Sequence, residues 1–440
     1  MEESSAAAVT VPLDPSRQTM RLDRVFWSHF APNLGPGGWV TGVLLVHLGL
    51  DLRTGLLAIL VGNVIGAVPV ALAAVIGPVT GLPQMESSRR VFGRDGLRVP
   101  AFLNWIYCVG WDAVNNVPAA AALLALCAMA SLSVPFALGL GVLASVQMVA
   151  SIYGHDVVQN LQKYLGACLL VVFAVVGIMA LTSAQHLSLP NAKPTLSSFV
   201  LATAILASFN LSWASYSSDY TRYLPASTPP AAIALRAVAA LLLSAIPFQA
   251  LGLITAGSIG EASPTAVIAN LQHAAGSLAP LALGAIALSS ITGNSLNDNT
   301  ASYSLISAGI RVPRVAAAIV TASLGYVLAV AGAGGYADLY SSYLVLTLYW
   351  IAPWTAIVLA DWWMRPGRDC NAPRGWMPEA TLFLVVSVLT IGLFSTSDLY
   401  VGPVARALGG ADVGYYVGFA LAFGGTVLLE RSGLLRRSGR

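Results

Sequence analysis

Two short stretches hold most of the side chains able to do chemistry. Gly110-Trp-Asp-Ala-Val-Asn-Asn116 places an aromatic ring, a carboxylate and two amides within seven residues. Ser289-Ser-Ile-Thr-Gly-Asn-Ser-Leu-Asn-Asp-Asn-Thr300 surrounds a second carboxylate, Asp298, with hydroxyls and amides. At helical spacing Trp111 shares a face with Asn115, and Asp112 shares one with Asn116. An asparagine offers a donor and an acceptor together, which suits the amide and amidine edges of a planar heterocycle. Asn115, Asn116, Asn294 and Asn297 are therefore candidate edge readers, with Asn33 beside them. Trp111, Trp213, Phe30 and Phe209 could stack on the faces of such a ring. Each aromatic would serve equally well as bundle packing. Trp111 is set apart by its ionisable and amide neighbours. Asn104, Asn210 and Asn270 read as interhelical links, worth about a kilocalorie each, and Asn63 fits either role.

The two carboxylates stand out because of the sequence around them. The chain has 440 residues, 57% apolar and only 9% charged, with a mean hydropathy of +0.75. Soluble domains carry about a quarter charged residues. This composition excludes an ordinary soluble enzyme, a disordered chain and a nucleic-acid binder, despite the net charge of +3. It requires a polytopic membrane protein. The continuous Ala/Leu/Val/Ile runs lack the alternation of barrel strands, so the spans are helices. Asp112 and Asp298 are the two acids well inside them, and intramembrane acids are functional candidates.

Hydropathy and chain breakers place twelve spans, near 26–50, 54–78, 99–125, 131–152, 161–183, 197–221, 231–256, 278–308, 313–333, 340–363, 377–396 and 412–430. Residues 1–25 lack the apolar core of a signal peptide and read as a polar tail. With both ends in the cytoplasm, 19 of the 22 Lys and Arg fall in or beside cytoplasmic connections and tails. Arg89, Arg90, Arg94 and Arg98, for example, gather before span three, while Arg53, Lys193 and Arg406 fall outside the pattern. A miscounted span would reverse every later connection and scramble this bias.

Two spans read as broken. Phe30-Ala-Pro-Asn-Leu-Gly-Pro-Gly-Gly38 interrupts the first, and Ser208-Phe-Asn-Leu-Ser-Trp-Ala-Ser-Tyr-Ser-Ser218 interrupts the sixth. Backbone freed in this way must be satisfied by protein, water or ligand, so unwound segments line cavities. Broken helices at matching positions of two halves point to a transporter built from inverted repeats. Spans one and six, and the polar spans three and eight, each lie five apart. Membrane helices also carry Gly and Pro without function, a reading weakened by two breaks in register.

Enzymology finds little support. His47 sits inside a span and His29 near an edge, neither with a metal partner at ligand spacing. Cys108, Cys127 and Cys168 lie in apolar runs and Cys370 in a basic loop, with no C-x-x-C pair. An uncoupled facilitator would need a pore lined by one sign of charge, and two acids do not make one.

The chain resembles the nucleobase–cation symporter-1 family, whose members carry cytosine, purines, uracil, allantoin, thiamine and hydantoins. The resemblance rests on GLPQMESSRRVFG (81–93), PAFLNWIYCVGWDAVNNV (100–117), DYTRYLP (219–225), NDN (297–299) and YWIAPWTAIVLADWW (349–363), in that order along nearly the whole chain. Among the subgroups it is most similar to the purine–cytosine permeases. The resemblance implies an all-α, leucine-transporter-type fold with a first five-helix repeat over 26–183 and an inverted second over 197–363. Two added helices over 377–430 and a cytoplasmic tail at 431–440 complete it.

It further implies import through the cell membrane by symport with Na+ or H+ and no other cofactor, the partners being a nucleobase-like heterocycle and the bilayer. Trp111 matches the family's stacking aromatic, Asn115 a base-reading amide, and Phe30 a second aromatic contact, with Phe209 and Trp213 matching loosely. A sodium ion would take backbone oxygens near Phe26 and His29, with Thr292 and Ser295. Asp112 is not a residue that the resemblance leads us to expect. It would either carry a proton or pair with the substrate. An allantoin, hydantoin or vitamin permease, for thiamine or pyridoxine, is the alternative within the family.

Overall fold

The computed structural model describes residues 7–153, 155–183, 193–259, 263–367, 375–397 and 400–432. Arg368, Cys370, Arg374, Arg436, Arg437 and Arg440 lie outside the described residues.

A helix covers each of the twelve apolar stretches. The first, α1, is broken into Asp23–Phe30 and Pro36–His47. It is followed by α2 (Leu52–Ala74), α3 (Arg98–Met129), α4 (Phe136–Ile152) and α5 (His155–Ser183). The sixth, α6, is again broken, into Leu196–Leu211 and Ser217–Thr221. Then come α7 (Pro230–Ile259), α8 (Ala279–Ser307), α9 (Arg314–Gly332), α10 (Tyr336–Met364), α11 (Pro378–Phe394) and α12 (Gly414–Arg431). Among the described residues eight helical stretches are long and apolar enough to cross a bilayer unaided, while Phe136–Ile152 and Pro378–Phe394 are shorter apolar helices. Each half of α1 is too short to be counted alone.

Local sequence explains the starts and breaks. Asp51 and Thr54 form a reciprocal capping box ahead of α2, and Thr195 with Ser198 does the same for α6. In α1, Ala31–Asn33 tightens into a 3-10 turn, Gly35 is fully extended, and Pro36 opens the second half where its missing N–H costs nothing. The break in α6 contains no proline. Ser212–Ser215 forms a 3-10 turn, and hydroxyls cap the disturbed carbonyls: Ser212 donates to Phe209 at 2.8 Å and Ser217 to Trp213 at 3.0 Å.

The most extensive helix pair is α3 with α8, followed by α6 on α2 and α7 on the second half of α1. The last contact is backbone on backbone. A Cβ on Gly42 would lie 2.0 Å from the Gln249 carbonyl oxygen, and one on Gly252 2.0 Å from that of Trp39. Small residues permit such approaches in membranes. Buried amides bridge helices too: Asn210 donates to Asn63 at 2.8 Å, and Asn63 to Gln249 at 2.5 Å.

The structure departs from the sequence expectations in three places. Helix α5 starts at His155 rather than 161. A helix over Pro264–Ala275, capped by Ser263, fills the connection between α7 and α8; at 12 residues with Gln272 and His273 in its last turns, it gave no spanning signal. The described part of the N-terminal tail, read from the sequence only as polar, packs against the bundle. Leu13 donates to Gly81, Met20 to Tyr223, and Gln18 to the carbonyls of Pro78 and Arg222, each at 2.9 Å.

Candidate functional site

Where the breaks of α1 and α6 meet the middle of α3 and α8, the helices enclose a cavity of about 50 Å³. Of the residues expected from sequence, Asn33, Trp111, Asn115, Phe209, Trp213 and Asn297 line it. Tyr107, Tyr216, Tyr340, Ser212, Ser289 and Ser290 also line it and were not anticipated. A tyrosine or serine in an apolar run carries no mark that separates a wall residue from packing.

The breaks hold each other. The Trp213 indole N–H donates to the side-chain oxygen of Asn33 at 3.1 Å, while the Asn33 amide donates to Ser244 on α7 at 3.2 Å. Opposite them runs a chain of amides. Asn115 on α3 and Asn297 on α8 both donate to the side-chain oxygen of Asn294, at 2.9 and 3.1 Å. The Tyr216 hydroxyl donates to Asn297 at 2.8 Å and lies 3.2 Å from the Cys108 sulfur.

Trp111 stands edge-on to Tyr343, with ring centroids 5.5 Å apart and planes at 83°, and edge-on to Tyr107 at 6.1 Å. Among the described residues its indole N–H and the Tyr107 hydroxyl, which lie near each other, are buried and meet no partner at full hydrogen-bond geometry. Buried polar groups are nearly always paired. Two orphan groups on a cavity wall are what a heterocycle's carbonyl or ring nitrogen would satisfy.

Four expected residues lie off the cavity wall. Phe30 stacks on Phe26, with centroids 4.9 Å apart, and meets Trp27 edge-on. Asn294 is one layer behind, donating to the Asp112 carbonyl at 3.2 Å and to Gln147 at 3.1 Å. Asp112 and Asn116 are fully buried on another face of α3, with Asp112 packed on α9. A Cβ on Gly325 would sit 2.6 Å from the Asp112 Cβ.

The expected cation position is built differently from an oxygen cage. The Thr292 hydroxyl reaches the Ala31 carbonyl at 3.3 Å, so α8 does touch the break of α1. The backbone oxygen of His29 accepts from the Asn33 amide at 3.3 Å. A residue the sequence reading missed, Gln162 on α5, extends its amide nitrogen to the Thr292 carbonyl at 2.9 Å and to Ser295 Oγ at 3.5 Å. The Thr292 carbonyl is an acceptor, so nitrogen, not oxygen, must face it.

Residues 12–418 match the family described as permeases for cytosine/purines, uracil, thiamine and allantoin. The chain belongs to that family. The permease is 28% identical to a putative purine-cytosine permease, YxlA, of Bacillus subtilis, over 93% of this chain and 92% of that one. It is 24% identical to the purine-cytosine permease fcyB of Emericella nidulans, over 89% and 81% of the two chains. Among solved structures it is similar to Mhp1, a nucleobase-cation-symport-1 family transporter, in a closed conformation with bromovinylhydantoin bound. The TM-score is 0.76 at 16% identity, covering 96% of this chain and 94% of that one. That likeness shows the leucine-transporter-type fold. The permease is thus a polytopic membrane transporter for nucleobase-type substrates.

Proposed function

We propose that the permease imports cytosine or a purine across the cell membrane by cation symport, with alternating access and no covalent chemistry. The observation that carries this reading is the aromatic and amide cavity at the meeting of two helix breaks, with the orphan Trp111 N–H and Tyr107 hydroxyl on its wall. Trp111 and Trp213 supply apolar faces, and Asn115 and Asn297 supply donor–acceptor edges. Unwound helix ends at a midplane cavity are the usual site of substrate in such repeats. The breaks fall within the proposed repeats, 26–183 and 197–363, with both tails cytoplasmic.

Alternating access needs a gate on each side, and both are candidates for opening. On the proposed cytoplasmic side, Arg24 donates to the Gln159 carbonyl at 2.8 Å and to Asn160 at 2.9 Å, and Lys163 pairs with Asp23 at 3.1 Å. These contacts fasten the first half of α1 to α5. On the far side the Tyr340 hydroxyl of α10 lies 3.0 Å from Thr41 on the second half of α1.

A thermal-shift screen of the purified protein tests the substrate class. Cytosine, adenine and hypoxanthine should raise the melting temperature by mass action. Stabilisation by allantoin, a hydantoin or thiamine in their place would move the permease to another branch of the family, and stabilisation by none would refute the reading.

A further inference from the structure

A pair of acids lies behind the cavity, between α3, α8 and α9. Asp112 and Asp298 are both completely buried and stand within side-chain hydrogen-bonding reach of each other. Among the described residues none of their four carboxyl oxygens meets a donor at full hydrogen-bond geometry, the Asn297 amide being the nearest to Asp112. The titratable groups beside them are Cys108 on α3 and Tyr343 on α10, with Tyr216 of α6 touching Cys108 in turn. From α9 they face Gly325, and α4 brings Gln147 to the neighbouring Asn294. None of these carries a positive charge.

Two facing carboxylates in a membrane core cannot both be ionised at acceptable cost. A single proton held between them would supply an O–H donor from one carboxyl to the other, as in other buried carboxyl pairs. We propose that Asp112 and Asp298 jointly bind the coupling proton, an inference that rests on the symport reading above.

Three observations favour a proton over a metal cation. Helices α3 and α8 run continuously past the pair, so the carbonyls of Asp112 and Asp298 themselves lie within the helix ladders. The buried Gln147 presents an unpartnered amide nitrogen, which suits a carboxyl, and Asn116, with both its side-chain nitrogen and oxygen unpartnered, can turn a donor to one as well. At the position where sodium would be expected, the Gln162 amide nitrogen meets the Thr292 carbonyl. Coupling to substrate needs only one intermediary. Asn294 donates to the Asp112 carbonyl and accepts from Asn115 and Asn297, which line the cavity. Through its bond to the Asp112 backbone, Asn294 links the residue that holds the proton to the residues that line the cavity, and any coupling must be reciprocal.

The test uses the full-length protein in sodium-free proteoliposomes with cytosine as probe. One pH unit is worth 1.36 kcal/mol per proton, about a tenfold accumulation at one proton per cytosine. Wild type should reach that ratio. Asp298→Asn should retain cytosine counterflow while its accumulation ratio falls to about 1. Accumulation driven by sodium with no pH gradient, or wild-type accumulation in Asp298→Asn, would overturn the proposal. A second readout needs no substrate. Acid-minus-alkaline infrared difference spectra should show a protonated carboxyl band, shifted in Asp298→Glu and in Asp298→Asn and lost when Asp112→Asn and Asp298→Asn are combined. Its absence from wild type overturns the proton site. Its presence supports the site even where cytosine is not carried, and then the substrate reading alone has failed.

Discussion

The Trp213 indole nitrogen and the Asn33 side-chain oxygen, 3.1 Å apart, join the break in α6 to the break in α1. Both residues line the cavity, so this bond sets the separation of two walls. Trp213→Phe keeps a ring and removes the donor, leaving a buried acceptor unmet at a cost of about 1–3 kcal/mol. Cytosine affinity measured by calorimetry should fall about fivefold or more. Wild-type affinity in this variant would reduce the bond to packing.

Trp111 is expected to bear one face of the substrate. Trp111→Ala removes that face and should abolish cytosine binding. Expression and detergent stability should stay near wild type, because the side chain is only partly buried beside the cavity. Trp111→Phe should retain part of the affinity through stacking, but not the contribution of the orphan N–H. Unchanged binding by Trp111→Ala would return the residue to core packing.

The breaks were legible because their causes are local: prolines and glycines in α1, and a run of serines in α6. The two polar clusters were legible as well, since amides and acids are conspicuous in apolar sequence. What the sequence left open was direction. Successive helical residues point about 100° apart, so Trp111 lines the cavity while Asp112, its neighbour, packs on Gly325 of α9. The pairing of Asp112 with Asp298 depends on how closely α3 and α8 pack, 186 residues apart in the chain. Gln162 was invisible for the same reason. One amide near the start of α5 acquires meaning only when α8 places the Thr292 carbonyl against it.

The proposed orientation is open to direct test. With the four native cysteines replaced by alanine, Ser133→Cys lies on the exposed turn between α3 and α4. Ile310→Cys lies between α8 and α9, where Ile310 is 39% exposed. A membrane-impermeant thiol reagent should label the first in intact cells and the second only after permeabilisation. The reverse pattern would turn the molecule over, and labelling of both from outside would refute the span count.

Arg24 should govern opening toward the proposed cytoplasm. Its guanidinium makes two hydrogen bonds to α5, to the Gln159 carbonyl and the Asn160 side chain. Beneath it the Ser28 hydroxyl, on the same half-helix and only 2% exposed, lies 3.0 Å from the Gln159 side-chain oxygen. Hydrogen bonds to charged groups contribute about 1.5–3 kcal/mol each, less where the group is partly open to water. Arg24→Ala should therefore shift the closed–open equilibrium about tenfold toward open. A cysteine at Ser28 reads this shift, because it can react only when the first half of α1 leaves α5. Ser28→Cys should be labelled about tenfold faster in the Arg24→Ala background, and added cytosine should change that rate. Equal rates in the two backgrounds would mean that the gate is held elsewhere, with the Asp23–Lys163 pair the next to remove.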